Sequence, residues 1–214
     1  MYRGKFIFAQ LFKIVYWYDF DLCVKRYKGN LGVKSFTCWE QFLVMSFAQF
    51  SYRESLRDIE YCLESVQSKL YHCGIKTTVS RSTLAEANRD QDWKNYADYA
   101  QVLMQQTLPL YKDDNKLCEE LGTLFYAFDS TTIDLCLQLF SWAKFRSTKG
   151  AVKLHVLLNI DGSIPEFIRI TNGSVHDVKV MDELKYKPGA YYLLDKGYVS
   201  LKDCIKLKWL KPIL

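Results

Sequence analysis

Apolar residues in the first 120 positions recur at helical spacing; beyond them they alternate. In "FTCWEQFLVMSFAQFS" (36–51) a stripe runs through positions 39, 42, 43, 47 and 50, with the small Ser46 on it. Thr37 stands three residues before Glu40, the spacing of a capping box, so a helix is predicted to start there. "SYRESLRDIEYCLESV" (51–66) has Ser51 three before Glu54, and sets Leu56, Ile59, Leu63 and Val66 on one face. A third helix is predicted in "DQDWKNYADYAQVLMQQTL" (90–108), with Trp93, Tyr96, Ala97, Ala100, Leu103 and Met104 as its stripe. Between them "TVSRSTLAEANRD" (78–90) reads as a short helix opened by Ser and Thr and flanked by Arg81 and Arg89. Such a helix suits a DNA groove as a recognition helix. It suits a packed surface position as well, and sequence alone favours the latter.

From residue 122 the pattern turns to strands. "GTLFYAFD" (122–129) is expected to be a strand that stops at Asp129. "AVKLHVLLNID" (151–161) and "SIPEFIRITNG" (163–173) flank an Asp-Gly turn and predict a hairpin. "HDVKVMDEL" (176–184) suits a short helix, "GAYYLLDKG" (189–197) a strand, and "SLKDCIKLKWL" (200–210) a helix. The order predicts an α/β (α+β) chain, with a helical first part followed by a mixed β-sheet with flanking helices.

Composition narrows the function classes. Of 214 residues 49% are hydrophobic and 25% charged, the balance of a globular protein. No apolar run reaches the ~18 residues needed to span a bilayer. The N-terminal stretch lacks a small-residue cleavage site, and Gln10 and Lys13 interrupt it, so neither a membrane anchor nor a signal peptide is expected. The seven cysteines form no CxxC pair, which points to reduced thiols and a cytoplasmic setting. The net charge of +5 is uneven: residues 1–122 carry 16 basic and 15 acidic side chains, residues 123–214 carry 13 and 9. That mild excess is compatible with nucleic acid without demonstrating it.

Two acids carry the candidate chemistry. Asp129 and Asp195 each follow an apolar strand. A lone carboxylate there is ordinarily a turn or cap residue. Two in matching contexts suggest a site, because adjacent parallel strands would bring them side by side. Like charges so placed repel unless a cation joins them, and a hard divalent ion such as magnesium suits oxygen ligands. Lys144, Arg146, Lys149 and Lys153 form a basic run that, with Trp142 and Phe145, could hold a DNA backbone; a solvated loop explains it nearly as well. His155 could approach the metal site or a phosphate, or be structural. Ser130, Thr131 and Thr132 are expected to cap a turn after Asp129, and His176 and Asp177 to open a helix.

Read together, "FDSTTIDLCL", "WAKFR", "KGAVKLH", "SVHD" and "PGAYYLLDKGYV" resemble the catalytic core of bacterial insertion-sequence transposases of the DDE (Asp-Asp-Glu) class, in the branch named after insertion sequence four. "GKFIFAQL", "FTCWEQFLVMSFAQ", "SLRDIEYCLES" and "VSRSTLAEANRDQDW" resemble a domain of unknown function at the head of such transposases. The resemblance spans about residues 3–203. It implies a helical N-terminal domain over 1–75, with DNA binding as its expected role, a helical connection over 76–121, and a ribonuclease H-like catalytic domain over 122–214. It implies DNA transposition by cutting and joining phosphodiester bonds, with Mg2+ or Mn2+ held by Asp129 and Asp195. Expected partners are double-stranded transposon ends and a second transposase copy, in the bacterial cytoplasm at the nucleoid. Lys196 stands where relatives often carry arginine, and Arg81, Arg89, Lys144, Arg146, Lys149, Lys153, His155 and Lys196 are the candidate DNA contacts. The family's third acid, a downstream Glu, has no counterpart, since no Glu follows Asp195. A C-terminally truncated, catalytically incomplete transposase is therefore expected. The alternatives are a non-catalytic DNA-binding or oligomer-poisoning remnant, and a different ribonuclease H-like nuclease recruiting Asp134 or Asp161.

Overall fold

The structure is a computed structural model that describes residues 7–76, 78–111, 122–135, 143–146, 149–160, 162–195 and 198. The chain divides into two compact units, Met1–Val102 and Leu103–Leu214. The first is helical and the second is built on a mixed sheet, as the hydrophobic pattern predicts.

The helical unit contains α1 (Ile7–Leu11), α2 (Trp17–Arg26), α3 (Cys38–Phe50), α4 (Leu56–Ser65), α5 (Gln67–Leu70), α6 (Arg81–Asp90) and the start of α7 (Lys94–Thr107). The predicted capping box is formed. Thr37 Oγ1 accepts from the Glu40 amide at 3.2 Å, and the Glu40 carboxylate accepts from the Thr37 amide at 3.1 Å. The cap of α4 differs from expectation. Ser55, not Ser51, accepts from the amide three residues on, that of Asp58. Ser51 instead closes α3, its hydroxyl donating to the Phe47 carbonyl at 2.7 Å. Both serines have an acid three residues later, so spacing alone does not separate them. What separates them is the turn at Tyr52, whose positive φ of 54° keeps that residue out of a helix.

Leu43, Val44, Phe47, Ile59, Leu63, Leu84 and Ala87 bury the facing sides of α3, α4 and α6. On α7 Asn95 and Tyr99 are buried and Trp93 is mostly exposed, so within the helical unit the buried face is rotated from the predicted stripe, of which Met104 is buried further along. Phe20 of α2 explains the rotation: its ring lies 5.1–5.8 Å from those of Trp39, Phe42, Tyr96 and Tyr99 and draws both tyrosines inward. Beside this aromatic cluster Gly29 meets the buried Asn95. A Cβ at residue 29 would lie 2.4 Å from Asn95 Nδ2 and 2.9 Å from Cys38 Sγ.

Among the described residues the sheet unit has five strands: β1 (Phe125–Leu135), β2 (Lys144–Arg146), β3 (Lys149–Asn159), β4 (Ile164–Asn172) and β5 (Tyr191–Leu194). β3 and β4 form the predicted hairpin, antiparallel from Val152↔Asn172 to Asn159↔Ile164. β1 lies antiparallel on the other side of β3, and β5 is parallel to β1. The short α8 (Asp177–Met181) lies between β4 and β5 in sequence. Its Val180 and Met181, with Leu184 and Tyr198, cover Tyr126, Phe128 and Leu157 on one face of the sheet.

Two expectations fail here. β1 does not end at Asp129 but continues to Leu135, so Ser130, Thr131 and Thr132 are strand residues and cap no turn. The β-branched run Thr131-Thr132-Ile133 suits a pleated strand, and it pairs with Val152, Lys153 and Leu154 of β3. The basic segment 144–146 is likewise a strand rather than a loop. The helix expected over 200–210 lies outside the described residues, as do Trp142, Asp161 and Lys196.

Candidate active site

The parallel ladder between β1 and β5 runs Phe125↔Tyr191, Tyr126↔Tyr192, Ala127↔Leu193 and Phe128↔Leu194. Asp129 comes next on β1, and Asp195 directly follows the last residue of β5. Neighbouring strands lie about 4.8 Å apart, so this register sets the two acids side by side, and both are exposed. Asp129 Oδ1 accepts a 2.7 Å hydrogen bond from the Ser130 amide, which fixes that carboxylate close to its own backbone.

Tyr198 closes the turn after Asp195, its amide donating to the Asp195 carbonyl at 3.0 Å. Its ring packs edge-on against Phe128 at 5.0 Å. Burial pushes its hydroxyl pKa up, and Asp177, Asp129 and Asp195 push the same way. Ser130 lies close enough to act on this hydroxyl, yet no well-formed hydrogen bond reaches it.

On the covered face a second polar group forms. His155 pairs with Ser130 across the β1/β3 ladder and is fully buried. Its Nε2 bonds Thr171 Oγ1 at 2.9 Å; its Nδ1 sits 3.9 Å from Asp177 Oδ1 without a hydrogen bond. Burial holds the imidazole below its ordinary pKa. Asp177 opposes that shift and Lys153 adds to it. Lys153 Nζ donates to Asp177 Oδ1 at 2.9 Å and to the Val175 carbonyl at 3.2 Å.

The candidate DNA contacts are therefore not one group. Lys153 is committed to Asp177, and His155 is sealed inside the sheet unit. Lys149 is exposed at the start of β3. Lys144 and Arg146 are described only as backbone on β2, where they pair with Gly150 and Lys149. In the helical unit Arg89 grips its neighbour Asp90 through two hydrogen bonds of 2.7 and 2.9 Å. Arg81 is exposed at the first turn of α6. His176 occupies the N-cap position of α8 but makes no side-chain cap bond. Asp177 opens α8, as its sequence context predicts, and also joins this polar group. The signal for its larger part was the alternation Lys153-x-His155, which turns a cation and an imidazole toward one face.

The transposase resemblance implies a divalent cation, and two exposed carboxylates on neighbouring strands are hard oxygen donors of the right kind. Among the described residues no group of three or more His, Cys, Asp or Glu side chains is arranged to hold a metal. The donor set is thus a partial fit, two oxygen-bearing limbs without a third. No helix among the described residues is long and apolar enough to cross a membrane.

Comparison with known proteins bears on both units. Residues 3–76 match a domain of unknown function (DUF4372), and residues 120–212 match the transposase DDE domain. A protein of Sinorhizobium fredii (strain NBRC 101917 / NGR234), named "Putative transposase y4zB", is 32% identical over 85 residues, covering 40% of this chain and 24% of that protein. This chain thus spans about a quarter of the length of the curated relative it matches. No solved structure matches it significantly. Residues 120–212 are thus similar to a transposase DDE domain, and part of the chain is similar to that relative.

Proposed function

We propose that the sheet unit is the metal-dependent phosphoryl-transfer core of an insertion-sequence transposase of the branch named after insertion sequence four, with Asp129 and Asp195 as two of its metal-holding carboxylates. The observation that carries this reading is the β1/β5 register, which leaves the two acids adjacent at the end of a parallel ladder. Ladder ends of this kind are where mixed α/β sheets hold their ligands. The topology, an antiparallel meander followed through a helix by a parallel strand, also agrees with a ribonuclease H-like fold.

In this reading Asp129 and Asp195 hold a divalent cation, magnesium or manganese. When bound, such an ion stabilises charge on the oxygens of a phosphodiester and on the attacking water or 3′-hydroxyl. The Ser130 amide orients the Asp129 carboxylate, and Tyr198 packs the turn that carries Asp195. The substrate is double-stranded DNA at transposon ends. Lys149 is an exposed basic residue of this unit open to its backbone. The helical unit is read as the end-binding part, with α6 and Arg81 on its surface.

A second reading is a chain that binds transposon ends, or joins an intact transposase, without cutting. It draws on the missing third metal-capable side chain among the described residues.

Calorimetric titration of Mn2+ into the chain and into an Asp129→Ala, Asp195→Ala double variant tests the first reading. Binding present in the first and lost in the second is expected, followed by plasmid nicking. Equal heats in both would overturn it. Metal binding without nicking, alongside retained binding to element-end DNA, would favour the second.

A further inference from the structure

The proposed site depends on β5 lying in one register against β1, and the strand's own sequence favours that register only in part. β5 reads Tyr-Tyr-Leu-Leu. Slid one way, it sets Tyr192 beside Phe125 but Asp195 beside Phe128; slid the other way, it sets Tyr191 beside Tyr126 and Leu193 beside Phe128 but Ala190 beside Phe125. Each slip keeps one aromatic pair in place of the two observed, Phe125 on Tyr191 (5.3 Å) and Tyr126 on Tyr192 (5.2 Å), so the stacks favour the observed register without fixing it alone. The ladder is also only four residues long. Side chains on a strand alternate faces, so a one-residue slip would carry Asp195 to the opposite face from Asp129.

A polar cluster at the other end of the ladder supplies what the strand lacks. Lys187, four residues before β5, donates from Nζ to Glu166 Oε2 of β4 at 2.7 Å and to the Tyr126 hydroxyl of β1 at 2.8 Å. Tyr126 in turn donates to Glu166 Oε1 at 3.0 Å, and Asn159 Nδ2 of β3 donates to the same oxygen at 3.2 Å. The Lys187 amide donates to the Tyr192 hydroxyl at 2.8 Å. Tyr126 is fully buried, so its hydroxyl has no solvent to fall back on. One lysine thus ties the segment entering β5 to β1 and β4, and to the ring of β5 that stacks on Tyr126. In a slipped register Tyr192 no longer stands beside Tyr126, and the bonds through Lys187 cannot all be made.

We infer that Tyr126, Glu166 and Lys187 form a register lock: they are positioning residues that hold β5 in the one alignment that brings Asp195 beside Asp129. The consequence for metal binding rests on the function proposed above; the alignment itself does not.

The test uses the full chain and two readouts. The first is the methyl–methyl nuclear Overhauser contact between Ala127 and Leu193, which face each other in the observed register. The second is Mn2+ affinity by calorimetry. Lys187→Met is expected to weaken or abolish the Ala127–Leu193 contact and to lower Mn2+ affinity at least tenfold, with the far-ultraviolet circular dichroism preserved. Lys187→Arg should retain both. The exchange Glu166→Lys with Lys187→Glu should recover most of the contact, which a loss of mere bulk would not predict. If Lys187→Met does not fold, Glu166→Gln and the exchanged pair decide by the same two readouts. An unchanged contact in a folded Lys187→Met chain overturns the lock, whatever happens to the metal. A lost contact in a chain whose wild type binds no Mn2+ leaves the lock standing and removes the proposed function instead.

Discussion

Asp177 and the pair Asp129 and Asp195 belong to the same sheet unit, yet they are held in opposite ways. Asp177 is partly buried at the start of α8, and Lys153 reaches it from β3 at 2.9 Å. Asp129 and Asp195 stand exposed where the parallel ladder runs out. A carboxylate inside a fold must bring its own counter-charge or be neutralised. Acids at the surface keep contact with water. The difference separates an acid held by an internal counter-charge from two acids that reach the surface of the unit.

The largest effect expected from that contrast is in Lys153→Met. It leaves Asp177 half-buried beside an uncharged side chain and should cost about 2 kcal/mol, read from urea unfolding of the whole chain. A loss near zero would erase the contrast.

A smaller effect is expected from His155. Its folded pKa is depressed, chiefly by burial, so the unfolded chain binds the extra proton as pH falls below the ordinary histidine value of about 6.5. Stability should therefore be intact above that pH and decline below it, by up to about 1.4 kcal/mol per pH unit. Asp177 and Glu183 oppose the decline by favouring the charged ring, and Lys153 adds to it. His155→Gln should flatten the wild-type slope in unfolding curves taken from pH 7.5 to 5. An equal slope in both proteins would assign the loss to other groups.

The smallest effect on stability should come from Asp129→Asn and Asp195→Asn, within about 0.5 kcal/mol of wild type as for exposed positions generally. Both should nonetheless lose Mn2+ binding. If either cost as much as Lys153→Met, that acid would count as structural, and the contrast would fail from the other side.

Much of this was legible in the chain. The helical period of the first half, the capping box at Thr37 and Glu40 and the β3–β4 hairpin all follow from local spacing. What escaped was set by partners distant in sequence. β1 outruns Asp129 because β3 offers it a long antiparallel edge. The α7 stripe rotates because Phe20, far away in the chain, collects Tyr96 and Tyr99. Lys153 looks like a member of a basic run until α8 folds back to place Asp177 against it. The serine that caps α4 was ambiguous for a local reason, since two candidates share the same spacing.

Gly29 carries a consequence of its own. It has no room for even a methyl group beside the Asn95 amide and the Cys38 sulfur, so the contact between the end of α2, α3 and α7 is specified by an atom that is missing. Mutational drift can reshape the exposed flanks of these helices gradually, through many tolerated intermediates. At position 29 a larger residue requires the buried side chains of Asn95 and Cys38 to shift with it. Among relatives of this helical unit, that site should be a fixed landmark by which their sequences can be brought into register.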